Sequence, residues 1–209
     1  MNVLAAVGAP LGTLAAAVTS DTTGTGTGGQ LTVTYTVAAS AVEFLAAGQT
    51  RVESFTVTLD DQNGGVVSKQ VDLTITGTND APILGVTGAT GALTEPAGTP
   101  AGNLSSAGVI SFTDVDLTDV HLVSASGTPV GTTLGTLTAV KTSDTTGTGT
   151  GGQLAWTYTV AAAAVQFLAA GQTRVESFTI ALDDQNGGVI TKQIDVTLTG
   201  TNTAAVISG

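Results

Sequence analysis

The stretch Leu59–Pro82, LDDQNGGVVSKQVDLTITGTNDAP, joins an acidic turn, a strand of alternating character and a short acidic connector ending in proline. A near copy begins at Leu182, LDDQNGGVITKQIDVTLTGTNTAA. Aligning Gly77 with Gly200 sets an offset of 123 residues, at which Thr19–Asp80 and Thr142–Thr203 agree at 50 of 62 positions. Most differences exchange one aliphatic residue for another, as at Val57/Ile180 and Ile75/Leu198, or move among Thr, Ser and Ala. A repeat this strong means that the chain is one module used about one and two-thirds times.

The order of the repeats fixes the expected domains. Residues 1–78 form a partial sandwich that lacks its first two strands, residues 79–203 a complete one, and residues 204–209 a tail resembling the start of a further repeat. The recognisable part of the first copy begins near Val3, which answers to about Val123, so Ile83–Val120 has no counterpart. Leaving out a central strand exposes an apolar face and unpaired edges, which recruit other strands. Such a copy is either part of a longer array or is completed by strands from a neighbour.

Only 10% of the 209 residues are charged, and the net charge is −11. That sign repels nucleic acid and anionic membranes. No run of apolar residues is long enough to insert in a bilayer as a helix, and Met1–Val18, although apolar, lacks the basic start of a signal peptide and reads as strands. Cysteine is absent, which excludes disulfides and thiolate metal sites.

Period-two alternation runs almost throughout: Leu154, Trp156, Tyr158 and Val160 share one face, as do Phe178, Ile180 and Leu182. With turn signals between short runs, this pattern predicts an all-β chain of tandem antiparallel sandwiches. Seven strands are expected in the complete copy, near 83–93, 108–112, 120–126, 133–141, 154–160, 174–182 and 188–198, connected up and down. The one helical candidate is Ala161–Ala170, stopped by Gly171. In the turn after Asp183, Asn and Gly are expected to take the positive φ angles.

An up-and-down order would gather acidic residues at one end of the second copy. Asn79 and Asp80 come from the connector, Glu95 from the first strand, Asp114, Asp116 and Asp119 from the second loop, and Asp183 and Asp184 from the last turn. No Lys or Arg lies within those loops. Crowded carboxylates repel one another, and a hard divalent cation such as Ca2+, which takes six to eight oxygens from flexible loops, relieves that repulsion. Those eight residues are the candidate metal ligands.

GVISFTDVDLTDVHLVSASG, AAAAVQFLAAGQT, ESFTIALDDQNGGV and the GTNDAP that closes the first copy resemble the VCBS repeats of large bacterial surface proteins. Those repeats belong with the cadherin-like extender modules of RTX-type adhesins. The resemblance implies tandem Ig/cadherin-like sandwiches on the bacterial cell surface or in its extracellular, biofilm-forming fibres, with calcium at module junctions. It also implies neighbouring repeats or other copies of the chain as partners, and a cell-surface or glycan ligand at a distant tip. Its ligand pattern falls on Glu95, on Asp114 and Asp116, and on Asn79, Asp80 and Pro82. Thr203 and Ala205 depart from it at the second connector.

Other signals are weaker. TGTGTGG imitates a phosphate loop but has no following lysine and no surrounding βαβ unit. His121 has no triad partners in sequence, and Asp183 and Asp184 diverge as neighbours on a strand and do not form a glycosidase pair. Trp156 and Tyr158 read as core, and Arg174 and Glu176 as a surface pair. The expected function is therefore a structural spacer and not an enzyme, with a strand-exchanging filament subunit and a carbohydrate- or host-binding module as the other classes.

Overall fold

The computed structural model describes residues 2–98 and 100–204, and side-chain environments from Ala5 onward. Most of the 204–209 tail, from Ala205, lies outside the described residues. The chain divides into two compact units, Met1–Thr78 and Asn79–Gly209.

The first unit holds β1 (Asn2–Val7), β2 (Thr13–Ser20), β3 (Gln30–Thr36), β4 (Thr50–Asp60) and β5 (Val66–Thr76). One sheet runs β1-β4-β5 and a second is the hairpin β2-β3, every pair antiparallel. Its core is small, with Leu14, Phe55 and Val57 buried and Tyr35, Val71 and Leu73 partly covered around them.

The second unit holds β6 (Ile83–Leu84), β7 (Thr90–Thr94), β8 (Asn103–Thr113), β9 (Leu122–Val130), β10 (Thr136–Ser143), β11 (Gly152–Ala161), β12 (Thr173–Asp183) and β13 (Val189–Thr199). They form two sheets in the orders β10-β11-β8-β6 and β7-β13-β12-β9. The all-β sandwich is as the alternation implies: Leu154, Trp156, Phe178, Ile180, Ile194 and Val196 meet in one core at no more than 1% exposure. The connectivity is not up and down. β8 pairs with β11 and β9 with β12, so successive strands cross between sheets, and β7 joins β13 in parallel. A short loop between antiparallel strands fixes direction but not sheet membership, and the apolar faces decide the latter.

The expected helix shrinks to a single 3-10 turn at Ala162–Val165. Val165 and Leu168 are buried, and Gly171, at φ 75°, ends the segment. In the turn after Asp183 the positive φ angles fall on Gln185 and Gly187, not on Asn186, and Gln62 and Gly64 repeat this in the first unit. Asn186 is held otherwise: its N–H donates to Asp184 Oδ1 at 2.8 Å. One edge of the sandwich is closed by a side chain. Ala139 N–H donates to Ser126 Oγ at 2.6 Å, and that hydroxyl donates back to Ala139 C=O at 3.0 Å.

Arg174 and Glu176 are not a surface pair. Glu176 shares the inward face of β12 with Phe178 and Ile180 and is 2% exposed. Its carboxylate accepts from Leu134 N–H (2.7 Å), Gly135 N–H (3.1 Å), Tyr158 O–H (2.7 Å) and Arg174 Nε (3.1 Å), fastening the loop before β10 to the core. Glu53 does the same in the first unit with Leu11, Gly12, Tyr35 and Arg51. Burial pushes both carboxyls up, but these donors together outweigh it and hold them below the ordinary 4.5. The phenols respond oppositely: burial and the Glu53 bond push Tyr35 up to about 12.

A folded pKa below the unfolded one means that stability is fully present above about pH 4.5 and lost as pH falls through the lowered value. Glu176→Gln leaves buried donors without a charged acceptor and should cost about 2–4 kcal/mol at pH 7. It should also flatten the acid limb of stability, measured by urea unfolding from pH 7 to 3. An acid limb as steep as the wild type's would show that Glu176 is not ionised in the fold.

Candidate metal centre

Strand direction brings the ends of β8, β10 and β12 and the starts of β6, β9, β11 and β13 to one end of the second unit. Asp114, Asp116, Asp119 and Asp184 all lie there at 0 to 3% exposure. One carboxylate oxygen each from Asp114, Asp119 and Asp184 lies within 4.8 Å of the others. Local bonds hold the loops in place. Asp116 N–H donates to Asp114 Oδ1 at 2.9 Å, and Asn186 and Gly188 N–H both donate to Asp184 Oδ1 at 2.8 Å. A Cβ on Gly188 would lie 2.1 Å from Asp184 Oδ2 and 2.9 Å from Ala81 Cβ, so a larger residue there would displace the carboxylate or the connector.

The connector joins the same group: Asn79 Nδ2 donates to Asp184 Oδ2 at 2.9 Å, and Asp80 N–H donates to Asp116 Oδ2 at 2.8 Å. The glycine-rich tip at 145–152 closes on the acidic loop, with Asp114 N–H to Gly149 C=O at 3.1 Å and Thr146 O–H to Asp119 C=O at 2.6 Å. Gly147, Gly149 and Gly151 take φ of 80°, 72° and 81°, which lets the tip curl over.

Two of the eight sequence candidates stand apart. Glu95 follows β7, which runs parallel to β13 and away from this end, so it lies roughly a full strand length, about 35 Å, from Asp184. There its Oε2 accepts from Thr201 N–H at 3.0 Å and its backbone N–H donates to Thr199 C=O at 2.8 Å. Asp183 ends β12, accepts from Gln185 N–H at 2.7 Å and is not among the grouped carboxylates, because strand alternation turns it from Asp184.

Three residues at this end were not read from the sequence. His121 is fully buried, with Nε2 2.9 Å from Asp114 Oδ2 and Nδ1 2.8 Å from Asp144 Oδ1. The ring thus bridges the two carboxylates. Lys141 pairs with Asp144 and donates to His121 C=O at 2.6 Å. Lys141 thus brings a counter-charge from β10, and His121, at the end of the acidic loop, brings the bridging ring. They sit on Asp144 and one edge of Asp114 and leave the rest uncovered.

The remaining imbalance is visible in the titration of the acids. Burial first, then neighbouring carboxylates, raise Asp116 above the ordinary 3.8 despite its bond from Asp80. Burial, Asp114 and Asp184 likewise raise Asp119, against a bond from Asn186 and the charge of His121. Burial also pushes Asp184 up, but its donors Asn79, Asn186 and Gly188 together bring it below 3.8. Five buried side-chain atoms among the described residues lack any partner, and all are oxygens: Asn79 Oδ1, Asp116 Oδ1, Asp119 Oδ2, Thr145 Oγ1 and, at the far end, Glu95 Oε1. Orphaned oxygens beside buried carboxylates are the donor set of a hard cation, and Asp114, Asp116, Asp119, Asp184 and Asn79 could hold one.

No family model matches the sequence, and no curated protein does. Among solved structures the chain is similar to a protein of unknown function from Porphyromonas gingivalis W83, at TM-score 0.33 and 12% identity over 95% of this chain and 84% of that one. It is similar to zebrafish RET cadherin-like domains 1 to 4, at TM-score 0.34 and 11% identity over 93% of this chain and 42% of that one. A third likeness is to human CDH23 EC21-23, at TM-score 0.33 and 18% identity over 71% and 43% of the two chains. The match spans less than half the length of the solved zebrafish and human chains. The sandwich assignment stands on the strand pairing described above.

An ion that binds only the folded state stabilises it by about 2.7 kcal/mol at a hundredfold excess over Kd. Calorimetry in EDTA and then in Ca2+ should therefore show a rise in Tm. Asp119→Asn, which removes one of the crowded charges, should melt no lower than the wild type in EDTA and should lose the response to Ca2+. A wild-type Tm indifferent to Ca2+ would remove the site.

Proposed function

We propose that the chain is a structural spacer: extender repeats of a secreted bacterial surface protein, whose second unit binds Ca2+ at its acidic end. The role is mechanical and not catalytic. The resemblance to VCBS repeats supports an extracellular setting and neighbouring repeats as the partners. One observation carries the calcium part of the reading. Asn79 and Asp80, in the connector that follows Thr78, are bonded directly to Asp184 and Asp116 of the buried group. An ion held by that group therefore restrains the connector as well as the loops, and stiffness of the chain becomes calcium-dependent.

The rings a sugar-binding surface would use do not favour that alternative, because Trp156 and Tyr158 are sealed in the core at 1% and 0% exposure. Strand exchange keeps a specific observation in its favour: among the described residues β3 pairs only with β2, and β5 only with β4.

Chelation should loosen the connector while leaving each sandwich intact. Solution scattering should show a changed radius of gyration in EGTA, with far-UV circular dichroism unchanged and faster amide exchange at Asp80. An Asp80 amide equally protected with and without Ca2+, at constant radius, would leave the ion without a mechanical role.

A further inference from the structure

The first strand of the second unit is split between the two sheets. β6 joins β8 in one sheet, the chain crosses over residues 85–89, and β7 joins β13 in the other from Asp195 to Thr199. The crossing leaves half of β13 without a neighbour on that side: among the described residues, 189–194 pair only with β12. Asp195 N–H donates to Ala89 C=O at 3.0 Å, so alternation along the strand turns the N–H and C=O of Thr191 and Gln193 towards the same, open side. Such a row of unpaired groups is a template for one more strand.

A cleft of about 290 Å3 lies beside this edge, lined by Pro82, Ile83, Leu84, Ile190, Thr191 and Lys192. Lys192 is the charged residue among them. It lies on the inward face of β13 between Ile190 and Ile194 and is half-buried. Among the described residues it has neither a hydrogen bond nor an ion pair. Lys141 and Arg174, the other Lys and Arg of this unit, are each paired with an acid. In a chain of net charge −11, a half-buried lysine left without a carboxylate is an exception.

The lysine decides which strand the edge can take. An added strand would send alternate side chains into the cleft, beside Ile190, Lys192 and Ile194. A second copy, pairing β13 with β13 about a two-fold axis, would bring two Lys192 ammonium groups into one cleft, where like charges repel. An inward charge is one way in which an exposed edge avoids its own kind. A strand with an acidic side chain at that place is favoured instead. Its carboxylate meets the unpaired ammonium, and apolar side chains two residues to either side lie against Ile190 and Ile194. We infer that the 189–193 edge of β13, with the cleft beside it, is a docking site for an extended segment of another polypeptide that points an acidic side chain inward between two apolar ones. The segment adds through main-chain hydrogen bonds to Thr191 and Gln193 and is selected by Lys192.

The full 209-residue chain, isotope-labelled for amide NMR, tests this by titration with three capped synthetic peptides, TVTETVT, TVTQTVT and TVTKTVT, whose symmetry allows either strand direction. The amide shifts give both the location and the affinity. Thr191 and Gln193 should shift saturably, and TVTETVT should bind about fivefold tighter than TVTQTVT, with TVTKTVT the weakest. Lys192→Gln should remove the preference for TVTETVT, and Lys192→Glu should reverse the order of TVTETVT and TVTKTVT. No saturable shift at Thr191 and Gln193 with any peptide, equal affinities for all three, or an order unchanged in Lys192→Glu would each overturn the proposal. So would sedimentation showing that the chain alone self-associates with these two amides protected from exchange, since the occupant would then be a second copy.

Discussion

Four carboxylates buried at one end of a sandwich, with His121 and Lys141 the basic side chains beside them among the described residues, are the constraint on which this structure turns. Inside a protein a charge without a partner is far more costly than one in water, so each acid has to be bonded, protonated or met by a cation. The second unit bonds some of these oxygens and leaves others without a partner, which is room for a cation. Asp184 is bonded by three donors and stays acidic, whereas Asp116 and Asp119 are raised by burial and by their neighbours. The same oxygens hold the structure of that end together. The acidic loop, the 183–188 turn and the connector are each anchored on a carboxylate, and the glycine-rich tip closes over the loop that carries three of them. Ordering of the end and electrostatic neutrality are one problem.

The two copies show that the site does not belong to the repeated sequence. Asp61 and Asp184 occupy identical turns: Asn63 and Gly65 N–H donate to Asp61 at 2.8 Å just as Asn186 and Gly188 donate to Asp184. Yet Asp61 is exposed and Asp184 is fully buried. Asp21 and Asp144 differ likewise, the first bonded within its own turn to Thr23 and exposed, the second wedged between Lys141 and His121. What separates them is Ile83–Val120, which has no counterpart in the first copy and which supplies Asp114, Asp116 and Asp119. That segment completes the core and the acidic end of the second unit together.

Much of this was legible in the sequence, and the failures have physical causes. Alternation identified the core residues, and strand direction alone gathered the connector, the acidic loop and the last turn at one end. Sheet membership was not legible, because a loop reverses a strand without saying which sheet receives it. Glu95 was misplaced because β6 starts at the acidic end while β7 finishes at the opposite one. Lys141 and Asp144 were missed because they come from β10 and the turn after it, far from the acidic loop in sequence, and His121, although it closely follows Asp119, was weighed only as a member of a triad. Glu176 could have been found: the period that turns Phe178 and Ile180 inward turns Glu176 inward too. Its charge was allowed to outvote its position, although a buried carboxylate with four donors is well satisfied.

The most direct measurement is a crystal structure of the chain grown in Ca2+, with anomalous scattering used to identify the ion. The account expects an ion at the acidic end of the second unit, with oxygens of Asp114, Asp119 and Asp184 at about 2.3–2.6 Å and the now unpartnered oxygens of Asp116 or Asn79 turned to it. Density for water alone among those carboxylates, with His121 still bridging Asp114 and Asp144, would contradict it.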